Sequence, residues 1–135
     1  MASIAEELRS KIVGNAGIAA VVGARVYHAN VPETAALPYI VYGRTAGVEE
    51  PQLDGSGGLV ECDFTIECRA GSMDAADDLA ELVRALIDRT SGTWGAKTIR
   101  GCFVKDTDDS YTPWPPGSDE GEYTVAYVAK VYYVP

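Results

Sequence analysis

Residues 59–87 combine two hydrophobic periods in immediate succession, and this stretch constrains the fold more than any other. Over residues 60–69, apolar and charged residues alternate, which is typical of a strand with one buried face. Over residues 75–87, apolar residues recur with the period of a helix, and acidic residues lie opposite them. Ser72 is well placed to cap that helix. We therefore expect the helix to pack on the apolar face of the sheet that contains the strand.

The rest of the chain predicts two N-terminal helices and more strands. Ser3 and Glu6 form a capping box before the first helix, and Asn15 is placed to cap a short second one. The other predicted extended segments are residues 25–27, 38–44, 98–105 and 122–134, and the long connections are residues 45–58 and 106–121. This order predicts a single α+β domain over residues 1–135, a two-layer sandwich. We expect a mostly antiparallel sheet of four to five strands with two to three helices packed on one face.

The charge balance argues against several classes of partner. The chain has 20 acidic and 11 basic residues, a net charge of −9. Binding to nucleic acid through phosphates, or to an anionic membrane, requires clustered basic residues. The N-terminus reads as an amphipathic helix rather than a signal peptide, and we expect no membrane span. Cys62 and Cys68 lie on one predicted strand, too far apart to pair, so we expect them and Cys102 to be reduced thiols, as in a cytosol.

The sequence predicts no catalytic, cofactor or metal site. His28 is the only histidine, and no carboxylate or nucleophile stands at a familiar spacing from it. One histidine and three scattered cysteines do not make a zinc pattern. The glycine cluster at residues 55–58 precedes a strand and lacks a following lysine, so it is interpreted as a turn rather than a phosphate loop.

Two features suggest interaction surfaces. Residues 106–121 are too long for an ordinary hairpin turn and are either functional or disordered. They contain the candidate interface residues Tyr111 and Trp114, although Trp114 could equally fold back onto its own domain. The last strand is apolar on both faces, so Val128 and Tyr132 are expected to be covered either by another subunit or by the first helix.

Several strings resemble the tail completion family of long-tailed bacteriophages. They are residues 15–23 ending in Val-Val-Gly, Arg25-Val26-Tyr27, residues 37–42 (Leu-Pro-Tyr-Ile-Val-Tyr) and the Leu53-Asp54-Gly55 turn. The resemblance covers nearly the whole chain. It implies a tail terminator: an α+β subunit, made in the host cytoplasm, that forms a homo-oligomeric ring, usually a hexamer, at the head-proximal end of the virion tail. It also implies the tail tube protein and the head–tail connector as partners, and no catalytic residues or cofactors.

The resemblance further implies that duplex DNA passes through the ring without being held. Acidic residues suit such a bore, although acidity could instead serve only the solubility of the free subunit. The candidate bore residues are Glu49, Glu50, Asp54, Asp106, Asp108, Asp109, Asp119 and Glu120. Two other functions stay open from the residues alone. One is a small cytosolic binding or regulatory module, and the other is a small hydrolase that works through paired carboxylates.

Overall fold

Three capped helices pack against a curled sheet in the computed structural model, which describes residues 3–32, 35–50, 59–113 and 121–134. The caps are those that the sequence predicts: the side chains of Ser3, Asn15 and Ser72 accept hydrogen bonds from backbone amides in the first turns. The helices are α1 (Ile4–Val13), α2 (Ala16–Val22) and α3 (Met73–Ile87). The strands are β1 (Val26–His28), β2 (Tyr39–Glu50), β3 (Leu59–Ala70), β4 (Thr90–Trp94), β5 (Lys97–Pro113) and β6 (Gly121–Val134).

The six strands form one sheet in the order β1-β2-β3-β6-β5-β4. The pair β1 and β2 is parallel, and the other neighbouring pairs are antiparallel. The two central strands, β3 and β6, pair without interruption from Val60 opposite Tyr133 to Ala70 opposite Tyr123. Helix α1 contacts both edge strands, β1 and β4. The sheet therefore curls around α1 as a half-barrel.

Strict alternation on β3 and β6 supplies the sheet side of the core. The core residues on β3 include Cys62, Phe64, Ile66 and Cys68, and those on β6 are Val125, Tyr127, Ala129 and Val131. Helix α3 buries Leu79, Val83 and Ile87 against them, each worth about 1.5–3 kcal/mol of transfer free energy. The buried hydroxyl of Tyr127 donates a 2.8 Å hydrogen bond to the carbonyl of Ala80, which fixes α3 over β6. The predicted packing of this helix on this strand is confirmed.

The predicted two-layer sandwich of four to five mostly antiparallel strands is wrong. The protein is mostly β, and its sheet is a mixed, six-stranded, curled half-barrel. The prediction missed β4, whose sequence Thr-Ser-Gly-Thr-Trp lacks the alternation of a half-buried strand. It also missed the curl, because a sheet that wraps around a helix leaves no distinct signature in the alternation of single strands.

The two long connections were predicted too long. Strand β2 extends to Glu50 and strand β5 extends to Pro113, so residues 45–50 and 106–113 are strand, not loop. Residues 103 and 105–112 are exposed on β5, and an exposed strand has no buried face to impose an apolar alternation. Their backbone is nevertheless paired, since Asp108 lies opposite Ala126 and Thr112 opposite Glu122.

Candidate functional site

The side of the sheet opposite the helices carries the candidate interface residues. We call it the open face, because within the described part of the chain none of the helices lies on it. On β6 it presents residues 122, 124, 126, 128, 130 and 132, which alternate with the core residues. Val128 and Tyr132 lie here, half-buried, as the alternation predicts. Helix α1 packs on the other side, so the alternative that α1 covers them is wrong.

One half of the open face combines apolar side chains with charged ones. The ring of Phe103, which is 49% exposed, meets the ring of Tyr132 edge to face at a centroid distance of 6.2 Å. On the neighbouring positions, Lys105 lies opposite Val128, and Lys130 forms an ion pair with Glu61 across β6 and β3. Phe103 was missed by the sequence reasoning. Alternation along β5 could have indicated Phe103: it lies between the buried Cys102 and the half-buried Val104, so its side chain points to the opposite side of the sheet.

The other half of the open face holds a buried polar network across three strands. The hydroxyl of Tyr39 on β2 donates to Glu122 Oε2 on β6 at 2.8 Å. Between them, Arg69 Nη1 on β3 donates to the Tyr39 hydroxyl oxygen at 3.1 Å and lies 3.6 Å from Glu122 Oε1. Arg69 Nη2 also donates to Glu67 at 3.1 Å. These four side chains connect the central strands to β2 on the side away from the helices.

Burial and hydrogen bonding oppose each other in this network. Burial raises the pKa of Tyr39, while the Arg69 side chain acts to lower it. Burial alone would lower the pKa of Arg69, but its hydrogen bonds to Tyr39 and Glu67 outweigh burial and raise that pKa. The guanidinium therefore stays charged, and it balances one of the two carboxylates that it contacts. The network has the character of a structural clamp that connects β2, β3 and β6.

The acidic candidates divide into two groups at opposite ends of the sheet. At one end, Glu49 and Glu50 are the last residues of β2, and they pair with Val60 and Leu59 on β3. Val60 in turn pairs with Tyr133, near the C-terminal end of β6. Asp108 and Asp109 pair with residues nearer the opposite end of β6, and Asp106 occupies the adjacent bulge with a positive φ of 57°. All three aspartates are exposed. They lie on a strand, not on the predicted loop. Asp54, Trp114, Asp119 and Glu120 lie outside the described residues.

Tyr111 lies near the far end of β5 and is 40% exposed. Its ring meets that of Tyr123, across the strand pair, at a centroid distance of 4.6 Å. The structure thus brings Tyr111 to the end of the β5–β6 pair, well apart from Val128 and Tyr132. The three candidate interface residues that the structure describes, Tyr111, Val128 and Tyr132, do not form one cluster.

The thiols are buried and free, as predicted. Burial raises the pKa of Cys68 and of Cys102 to about 12, and the neighbouring Asp88 adds to the effect at Cys102. A thiol with so high a pKa is a poor nucleophile.

His28 is exposed and stacks on Tyr42 at a centroid distance of 4.9 Å. Residues 3–32, 35–50, 59–113 and 121–134 contain no cluster of three or more His, Cys, Asp or Glu side chains suited to a metal ion. No helix in these ranges is long and apolar enough to cross a membrane.

The comparison with protein families decides the class of protein. The sequence model of the family described as "Tail completion protein gp17" matches residues 6–115, from α1 through β5. The chain belongs to this family. It is therefore a structural protein of a phage tail and a component of the virion. The resemblance found in the sequence is confirmed.

Solved structures share the fold of this tail completion protein at low sequence identity. A chain of the "virion of native gene transfer agent (GTA) particle" superposes with a TM-score of 0.63 at 18% identity, covering 93% of this chain and 91% of the other. A second solved structure superposes with a TM-score of 0.56 at 16% identity, covering 99% and 97%. At these identities the likeness concerns the fold alone. No curated protein matches the sequence.

Proposed function

We propose that this tail completion protein is the ring-forming subunit that caps the tail tube and joins it to the head connector. The observation that carries the proposal is the open face, which keeps Phe103, Val128 and Tyr132 outside the core in a chain of a tail family. Exposed aromatic side chains that are grouped on one surface mark an interaction site. A subunit that works only when assembled has a reason to retain such a surface.

A neighbouring copy is the proposed partner of Val128 and Tyr132. In a ring, each subunit presents one surface to the next copy and a different surface to the previous one, so the contacts are head to tail. A sixfold ring is our expectation for the closed assembly. The strands support this arrangement, because the open face and the helix layer lie on opposite sides of each subunit.

Tyr111 and Trp114 are proposed to dock the ring onto the tube or the connector. Tyr111 stands exposed near the end of the β5–β6 pair, and Trp114 follows three residues later in the sequence. A large aromatic residue at a protein surface is a favoured anchor, because it contributes a wide contact area at a low cost in side-chain entropy. The distance of Tyr111 from Val128 and Tyr132 leaves this end of the subunit available to a second partner.

The acidic residues are proposed to keep DNA moving through the bore. Carboxylates repel the phosphates that an exposed Lys or Arg would hold. Among the described residues, Glu49 pairs with Val60, which pairs with Tyr133, while Asp108 and Asp109 pair with Ala126 and Val125, so these two places lie about 25 Å apart along β6 at ~3.3 Å per residue. The first group is Glu49, Glu50 and Asp54, and the second is Asp106, Asp108, Asp109, Asp119 and Glu120. Each group therefore has to be tested separately, since a bore at one end of the subunit would contain only one of them.

Assembly without the protein tests the proposed function. Particles made by a phage that lacks it should contain heads and tails that do not join, and the tails should vary in length. Adding the purified protein to such an extract should restore joined particles. A cytosolic binding or regulatory module, or a small hydrolase, would instead be absent from purified particles. Normal joining without the protein would contradict the proposal.

A further inference from the structure

The basic residues of this acidic chain are unevenly distributed. Residues 89–105 contain four of the eleven basic residues and no acidic residue. They are Arg89, Lys97, Arg100 and Lys105. This segment begins just after α3, includes the edge strand β4 and continues into the first half of β5. A positive region on a chain of net charge −9 attracts a negatively charged partner.

The structure gathers part of this segment around an aromatic ring. A surface pocket of about 420 Å³ is lined by Arg89, Thr90, Ser91, Arg100, Gly101 and Phe103. The Phe103 ring lies over Gly101, where an added Cβ would be 3.1 Å from ring atom Cε2. The same ring meets the ring of Tyr132 edge to face. We call Arg89, Arg100, Phe103 and Tyr132 the basic aromatic patch.

Within the part of the chain that the structure describes, no carboxylate pairs with the two guanidinium groups of the patch. Neither Arg89 nor Arg100 forms an ion pair with any residue that the structure describes. Both side chains are exposed. Arginine presents a planar, five-donor fork that suits carboxylates, and the adjacent Phe103 supplies an apolar surface beside it. The patch therefore fits a partner surface that is acidic and apolar together.

The same chain carries such a surface on the opposite side. The outward side of α3 exposes Asp74, Asp77, Asp78, Glu81 and Leu82. Glu81 lies 4.0 Å from Arg84, while the three aspartates have no ion pair within the described ranges. Leu82, on the same side of the helix, is 39% exposed and adds an apolar contact area to the acidic residues. We call this surface the α3 acidic face.

We propose that the basic aromatic patch of one subunit binds the α3 acidic face of the next copy. This inference rests on the proposed ring and names its contact surfaces. Because the patch lies on the open face and α3 on the helix side, each subunit can offer one surface to each neighbour. Such a heterologous contact repeats in one direction and closes when the rotation between copies fits a ring. Leu82 faces Phe103 and Tyr132 in this contact, and the aspartates face the arginines.

A charge-swap experiment tests the contact in the full-length protein. Arg100→Glu in the patch and Asp78→Arg on α3 should each weaken self-association about tenfold or more, because each places like charges together. The double variant should recover most of the affinity, since the pair is restored with reversed signs. Lys11→Glu, on α1 and outside both surfaces, is the matched control for a lost positive charge and should leave self-association unchanged. Self-association is measured by analytical ultracentrifugation, and circular dichroism verifies folding.

Cross-linking identifies the partner surface directly. A carbodiimide joins a lysine amine to a carboxylate that it touches, so intermolecular links from Lys105 or Lys97 to residues 74–81 are expected. A 20-base-pair duplex DNA serves as the competing probe. If Arg100→Glu removes DNA binding but leaves self-association intact, the patch binds phosphate and the inference is overturned.

The outcomes separate this inference from the proposed function. Intact rings in both single variants would overturn the two surfaces while leaving the ring itself standing. A protein that stays monomeric, both free at high concentration and in particles, would overturn the inference and the proposed ring together. Weakening by both single variants without recovery in the double variant would also count against a direct pair between these two surfaces.

Discussion

The Tyr39 hydroxyl on β2 and the Glu122 carboxylate on β6 are joined by a 2.8 Å hydrogen bond that crosses the intervening strand β3. Tyr39 is 3% exposed and Glu122 7%, although both lie on the face opposite the helices. Arg69 contacts both of them from β3. This network therefore connects β2, β3 and β6 on the face of the sheet opposite the helices.

We expect Tyr39→Phe to lower the free energy of unfolding by about 1–2 kcal/mol, because it removes a donor from the buried carboxylate of Glu122. Arg69→Met should cost more, since it leaves two carboxylates without their cation. Urea unfolding measures both. Tyr27→Phe is the matched control, because the Tyr27 ring packs against Tyr39 and the substitution keeps that contact. Equal effects of the two tyrosine substitutions would show that the Tyr39–Glu122 bond contributes nothing.

The buried thiols predict a loss of stability at alkaline pH. The folded pKa of Cys68 and of Cys102 is about 12, above the value of about 8.5 for an unfolded thiol. The neutral thiols therefore favour the folded state fully below about pH 8.5, and this contribution is lost as the pH rises from there towards 12. The free energy of unfolding should fall over this range.

Cys68→Ala should reduce the slope of that fall, as measured by urea unfolding at a series of pH values. Val125→Ala, at the position that pairs with Cys68, is the control: it should lower the stability without changing the slope. In the native state near neutral pH, a thiol reagent should label Cys62 and Cys68 only slowly, since both are buried. Rapid labelling of both would contradict the register of β3.

Trp114→Ala is expected to leave the melting temperature nearly unchanged and to weaken docking of the ring onto the tube or the connector. The reason is the proposed role of Trp114 as an anchor for a partner rather than for its own domain. Thermal unfolding and joining of heads to tails measure the two effects. Tyr111→Ala is the companion variant on β5. A fall of many degrees for Trp114→Ala would place Trp114 in the core and contradict its role at the interface.

Reversing the charge of the acidic groups tests the bore. Lysine at Asp106, Asp108, Asp109, Asp119 and Glu120 in one variant, and at Glu49, Glu50 and Asp54 in another, should slow DNA delivery in whichever variant reverses the bore. The physical reason is that each lysine offers a cation to passing phosphates. DNA delivery by particles that still assemble is the measurement. Normal delivery by both variants would leave solubility as the role of these eight carboxylates.

The central strand and helix could be predicted because their periodicity reflects burial. Residues 60–69 alternate and residues 75–87 follow the helical period, and the structure buries those faces. The N-caps at Ser3, Asn15 and Ser72 are equally local, since a single side chain supplies the hydrogen bond. Features that depend on one element and its immediate neighbours were thus within reach of the sequence.

The features that failed depend on partners far along the chain. The second half of β5 is stabilised by pairing with β6 rather than by an apolar alternation, so residues 106–113 were interpreted as loop. The Tyr39–Glu122 bond joins residues 83 positions apart, and no local pattern predicts it. At the candidate site, alternation correctly placed Val128 and Tyr132 on the outer face. It did not show that Phe103 and Arg100 lie beside Tyr132, because that depends on the bulge between Ile99 and Gly101.

The most direct measurement of the central claim is electron microscopy of the purified protein and of intact particles, combined with native mass spectrometry. The account predicts closed rings, sixfold, and the same ring at the head-proximal end of the tail. The open face, with Val128 and Tyr132, should be covered by a neighbouring copy in the ring. A strict monomer at high concentration, together with a monomer in the particle, would contradict it.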